Sequence, residues 1–204
     1  MTGRRDGTRT SEDPPSPRLR ADARRNVEKL RDAAREIFLR EGLETPLEDI
    51  ARRAGVSIGT LYNRFGSRAE LIDQAVADVA AQRLVALAGL VDQADGPWAR
   101  FAAFVWGTCE MQAADRAFND VVARRYADAP RLRAICDDNL VVGDDLMRAA
   151  QASGVLRRDL TRDDLYRLFR SIAALIRDGE PDEGWRRHLE YFLDGLRTGG
   201  PAAR

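Results

Sequence analysis

Between Ser57 and Arg68 the chain reads SIGTLYNRFGSR, and the chemistry these residues suit is hydrogen bonding to phosphates and base edges. Thr60 can offer its methyl to thymine and its hydroxyl to a phosphate or base edge. Asn63 and Arg64 carry the donor geometry for adenine, guanine or phosphate. Gly59 lets another backbone come close, and Ser57 and Ile58 open the same segment. Arg68 stands at the predicted start of the next helix, where its charge and the helix dipole both attract a phosphate. Elsewhere the residues that could do chemistry are scattered. His188 is the only histidine, without a Cys or carboxylate cluster at ligand spacing, and reads as a polar residue on the last helix. Cys109 and Cys136 read as two buried thiols, a redox switch being the alternative. Asp137, Asp138, Asp144 and Asp145 fall near one helical face and read as a solvated acidic face rather than a metal site. No Ser-His-Asp, Cys-His, paired-acid or glycine-rich phosphate constellation is present. The reading is therefore not an enzyme, with no metal and no cofactor.

The elements that must position Ser57–Arg68 follow from local signals. Thr45 with Glu48 three residues on makes a capping box, and Pro46 fits the first helical position. Leu47, Ile50, Ala51 and Ala54 share one face. Gly55 supplies the left-handed turn that ends that helix. Ser57 is a second N-cap, opening a helix over Ile58 to Phe65 in which Leu61 and Phe65 turn inward. Small Ala51, turn Gly55 and apolar Leu61 let two helices cross closely, which is the helix-turn-helix pattern. Ser67 with Glu70 opens a third helix.

Upstream, a helix from Ala21 to Gly42 buries Val27, Leu30, Ala34, Ile37 and Phe38 and completes a three-helix head. Residues 1–20 have no apolar periodicity and read as a disordered, solvated arm, contact of its arginines with DNA being the alternative. Downstream, Arg68 to about Val91 forms a long connector helix. Four more helices follow, over about Pro97–Met111, Arg116–Ala127, Pro130–Gly154 and Thr161–Asp178, and a last one over Asp182–Arg197. No strand alternation appears, so the fold class is all-α. Residues 21–75 are the helix-turn-helix domain, and 76–200 a second, helical domain. Phe104, Trp106, Cys109, Met111, Phe118 and Tyr126 give an aromatic, soft-walled interior, which reads as plain core with a ligand pocket as the alternative. The 204 residues carry no net charge, but residues 1–70 hold 15 Arg and Lys against 12 Asp and Glu, so the basic excess lies with the motif. No run of about 18 apolar residues exists, so no membrane span is expected. Two cysteines suit a reducing cytoplasm.

The order DAAREIF, EGL and then LEDIARRAGVSIGTLYNRFGSRAEL resembles the TetR family of bacterial transcriptional regulators, closely over residues 25–75. The resemblance implies a homodimer whose third helices enter successive major grooves of a pseudo-palindromic double-stranded operator. It implies a small-molecule effector in the C-terminal domain, release of a repressor when the connector helix moves, and a dimer interface on the last two helices, about 161–197. Tyr62 resembles the family's tyrosine that stacks on the backbone and bonds a phosphate. Thr45 and Pro46 fall where members touch phosphate, although the link from Gly42 to Ile50 is a residue shorter than in many of them. An activating or ligand-independent regulator, and a protein-interaction module on the same scaffold, are the competing readings.

Overall fold

The computed structural model describes residues 17–124, 129–179 and 182–198. Among these residues the architecture is helical: α1 (Pro17–Glu41), α2 (Leu47–Ala54), α3 (Ile58–Phe65), α4 (Arg68–Asp92), α5 (Gly96–Ala114), α6 (Arg116–Arg124), α7 (Pro130–Ala152), α8 (Arg162–Arg177) and α9 (Asp182–Leu196). The first helix starts at Pro17, ahead of the Ala21 expected. The rest of the expected arm, residues 1–16, lies outside the described residues, as does Tyr126.

Local capping sets the boundaries in the head. Gly55 ends α2 at φ 70°, a conformation only glycine takes without steric cost. The Ser57 hydroxyl accepts the Thr60 N–H at 3.2 Å, and that of Ser67 accepts the Glu70 N–H at 3.1 Å. Each such cap contributes about 1 kcal/mol. The expected Thr45 cap is corrected. Pro46 occupies the N-cap position of α2, with no side-chain cap bond. The turn after α1 curls Thr45 inward instead, where it is buried and donates its hydroxyl to the Gly42 carbonyl at 3.0 Å.

Leu30, Phe38, Ile50, Leu61 and Leu71 form the centre of the head, all fully buried. Burying side chains of this size contributes roughly 1.5–3 kcal/mol each. This core does not stop at residue 75: Ala77 and Ala80 of α4, Ala117 and Val121 of α6, and Leu132 of α7 belong to it. A second cluster is built from Phe101, Phe104, Val105, Met147, Leu165, Phe169, Ile172, Trp185 and Leu189. Helix α4 enters both clusters, the first with Leu71 to Ala80 and the second with Leu87 and Val91. By length and composition it is apolar enough to cross a membrane, with a mean hydropathy of 1.3 over its best stretch. Its packing on α1, α5 and α7 gives those apolar residues a different role, as the shared spine of the two clusters. At the far end, Leu156 and Arg197 make an isolated antiparallel bridge. There the Arg157 N–H donates to the Leu196 carbonyl at 3.0 Å and fastens the end of α9 to the α7–α8 turn.

Candidate nucleic-acid interface and cavity

Helix α3 is held from one side and open on the other. Leu61 and Phe65 are buried in the head core, and Ile58 packs half-buried against it. Gly59, Tyr62, Asn63 and Arg64 are exposed, Tyr62 with 48% of its surface in solvent. Ser57 Oγ and Thr60 Oγ1 lie 2.9 Å apart, so the cap also orients the threonine. A Cβ at Gly59 would meet only Ser57 Oγ, at 3.8 Å. Nothing within the chain therefore requires glycine there, although glycine inside a helix costs about 1 kcal/mol. Pro46 is exposed. On the back of α2, Arg53 grips Glu36 through two contacts of 2.8 and 2.9 Å, and Arg52 pairs with Asp49.

Arg68 takes a different place from the one expected. Its Nη1 donates to the Leu43 carbonyl at 2.8 Å and to the Thr45 carbonyl at 2.7 Å. The half-buried guanidinium thereby closes the α1–α2 turn from the first residue of α4. The Arg68 Nη1 and the Thr45 hydroxyl are thus both engaged by carbonyls of the turn. The reason is tertiary: the turn leaves two carbonyls without helical partners, and Arg68 is the cation that packing delivers to them.

In the body, α5, α6, α7 and α8 surround a cavity of about 390 Å³. Its wall is mostly apolar, with Phe118, Val121 and Val122 of α6, Leu140 and Cys136 of α7, and Phe169 of α8. Thr108, Asn139 and Tyr166 add polar atoms, and Arg133 and Asp137 stand at it with opposite charges. Burial pushes the Cys136 thiol up to about 12, so it stays protonated at neutral pH.

Of the pocket residues expected, Phe118 lines this cavity. Phe104 lines a second cavity, of about 370 Å³ between α4, α5 and α7, and packs edge-on against Phe169 and beneath Gly143, where a Cβ would stand 2.5 Å from its ring. Trp106 faces Trp185 with ring centroids 6.4 Å apart. Met111 packs on the second cluster. Cys109 is fully buried there, its thiol pushed above the ordinary range by desolvation. The residues that were missed carried one signal. Thr108 and Gln112 continue the inward register of Phe101, Phe104 and Val105 as polar side chains, and both are buried.

A profile described as bacterial regulatory proteins, tetR family, matches residues 30–75, and the C-terminal domain of SbtR-like transcriptional regulators matches residues 96–198, half of the chain. The chain belongs to the TetR family. It is a DNA-binding transcriptional regulator and not an enzyme. The HTH-type transcriptional repressor KstR2 of Mycobacterium tuberculosis is 28% identical over 187 residues, covering 84% of this chain and 92% of KstR2. Its solved structure, described as a ketosteroid transcriptional regulator, superposes with a TM-score of 0.58 at 26% identity over 85% of this chain and 95% of its own. The regulator SCO0520 of Streptomyces coelicolor is 32% identical, with a TM-score of 0.51 over 86% of this chain and 99% of its own. FadR of Bacillus subtilis, solved with stearoyl-CoA, shares the fold at 17% identity with a TM-score of 0.62, over 83% and 99%.

Three buried carboxylates tie the TetR-type head and spine to the helices around the cavity. Asp120 of α6 accepts the Leu43 N–H at 2.8 Å. That contact explains Gly42, which sits at φ 96° and whose Cβ would stand 2.6 Å from the Asp120 carboxylate. Asp73 of α4 accepts the Arg131 and Leu132 N–H groups at 3.0 and 2.9 Å, capping α7 from a neighbouring helix. Asp115 caps α6 through the Ala117 and Phe118 N–H groups at 2.9 and 3.2 Å and pairs with Arg83 of α4. Burial holds the Asp115 carboxyl above its ordinary range, against the opposing pull of Arg83 and the two amides. The expected acidic face of α7 is divided: Asp144 is buried and paired with Arg162 at 2.7 Å, while Asp137, Asp138 and Asp145 are exposed. His188 is exposed on α9.

Proposed function

We propose that this regulator acts as a homodimer that places α3 of each subunit in successive major grooves of a pseudo-palindromic operator. It represses from there until a small molecule enters the α5–α8 cavity. The observation that carries the reading is α3 itself, capped by Ser57 and anchored by Leu61 and Phe65, with Gly59, Tyr62, Asn63 and Arg64 turned outward. Thr60 and Tyr62 are its phosphate and base-edge groups, Asn63 and Arg64 its candidates for bidentate base or phosphate contact. Gly59 is the point of closest approach. Repression is supported by KstR2, which is a repressor, and an effector by FadR, which was solved with a ligand.

The dimer is assigned to the face of α8 and α9. Tyr191 is exposed there, and Gly195 has open space where a Cβ would stand, so another helix can come close. Release follows the buried carboxylates. Helix α6 presents Phe118 and Val122 to the cavity and Asp120 to the head, so a ligand that displaces α6 pulls on the Leu43 N–H. Displacement of α7 pulls likewise on Asp73 of the connector.

Selection of bound fragments from the source genome, followed by footprinting and a salt titration, tests the DNA side. A two-fold symmetric footprint and a steep salt dependence are expected. An asymmetric footprint of a single half-site, or no preferred fragment, would count against the dimeric operator complex.

A further inference from the structure

We propose that the α5–α8 cavity selects an uncharged, mostly apolar molecule bearing a ketone or hydroxyl oxygen, with the Thr108 hydroxyl as the partner of that oxygen. The inference rests on the effector reading above and names the ligand class for it.

Among the described residues, the buried side-chain atoms that lack a hydrogen-bond partner are Thr108 Oγ1, Gln112 Nε2 and Oε1, and Asn119 Oδ1. All belong to α5 and the start of α6. Folded proteins pair nearly all such atoms, so a group of them along one seam calls for a specific reason. Thr108 is 2% exposed and lines the cavity. Gln112 follows one turn later on the same face of α5 and is 0% exposed. Asn119 follows the cavity residue Phe118, and its Nδ2 is already committed to the Ala173 carbonyl at 3.1 Å. The unpaired groups of the seam are thus a hydroxyl and amides, which donate and accept, while the buried Asp115 carboxylate beside them is already paired with Arg83 and the α6 amides.

The rest of the wall sets the other requirements. Phe118, Val122, Leu140 and Phe169 ask for an apolar body. Among the described residues, the charged side chains at the cavity are Arg133 and Asp137, both exposed and one helical turn apart on α7. Their signs oppose, so they give little net attraction to an ion. A carboxylate carried inward to Thr108 would lose its hydration without meeting a cation there. A volume of about 390 Å³ suits a body larger than a single ring.

The test uses the full chain and three probes: cyclododecanone and methyl decyl ketone as neutral ketones of two shapes, and dodecanoate as the anion. Binding is read by calorimetry and by thermal shift. At least one ketone is expected to bind more tightly than dodecanoate. Thr108→Val, of the same shape but without the hydroxyl, is expected to weaken the ketone roughly tenfold. Thr108→Ser is expected to restore it, and Arg133→Ala to leave it within about twofold. Thr108→Val without ligand is expected to melt no lower than the parent, because the hydroxyl it removes has no partner. Tighter binding of dodecanoate, its loss in Arg133→Ala, indifference of the ketone to Thr108→Val, or binding of neither ketone each overturns the assignment. Operator binding with and without the ketone separates the two claims. Ketone binding that depends on Thr108 but leaves the DNA complex intact supports the ligand class and sinks the effector reading.

Discussion

In the head the residues proposed to act point out of the fold, and in the body they point in. On α3, inward Leu61 and Phe65 are structural, which leaves the outward Gly59, Tyr62, Asn63 and Arg64 for a partner. Direction alone separates the two roles. In the body, Phe101 and Phe118 are both buried aromatics, yet Phe118 lines the cavity while Phe101 packs against Trp98. Burial there marks core and cavity alike, and only the packing of four helices distinguishes them. Function on an outer face is thus readable from periodicity, whereas function on an inner one is not.

The largest test of that comparison lies where the outward rule fails, at Arg68. Arg68→Ala should lower the stability of the head by about 2–4 kcal/mol, because two carbonyls lose a charged donor. Denaturant unfolding measures it. A variant as stable as the parent whose DNA affinity loses salt dependence would return Arg68 to the phosphate face.

Next is the seam between head and body. Gly42→Ala should cost about 2–3 kcal/mol, from its positive φ and from the collision with Asp120. In an Asp120→Ala background the same change should cost only about 1–2 kcal/mol, the backbone part alone. Equal costs in the two backgrounds would mean that the Asp120 contact does not join head and body.

On the outward face, Tyr62→Phe and Arg64→Ala should leave stability within about 0.5 kcal/mol. Arg64→Ala, which removes a cation, should shrink the slope of log affinity against log salt by about 0.9, whereas Tyr62→Phe removes a neutral contact and should lower affinity at unchanged slope. Unchanged affinity and slope in both variants would disprove the docking of α3.

Gly59→Ala is the smallest change and has opposite signs on its two readouts. Removing glycine from a helix with open space around it should stabilise the head by about 0.5–1 kcal/mol. The added methyl should weaken operator binding. A gain in stability with undiminished binding would show that nothing approaches this residue closely.

The fold was legible to the extent that its signals were local. The Ser57 and Ser67 caps, the Gly55 turn and the Thr161–Asp164 capping box each lie within a few residues of the backbone groups they satisfy. Thr45 shows the limit of such reading. Its spacing to Glu48 fits a capping box, but the turn closed by Arg68, 23 residues away, takes the hydroxyl elsewhere. The inward stripe of α8, Leu165, Leu168, Phe169 and Ile172, is equally plain, since a 3.6-residue period needs no knowledge of the partner helix.

By itself, then, the sequence determined the helical class, the helix-turn-helix and the outward face of α3, because caps, turns and amphipathic stripes act over one or two helical turns. Tertiary structure alone decided which polar groups meet across the fold. Asp120 on Leu43, Asp73 on the start of α7 and Arg68 on the α1–α2 turn are pairings between distant segments. The cavity beside Thr108 belongs with them. A space between helices is a property of how four of them pack, and no single stretch of chain encodes it.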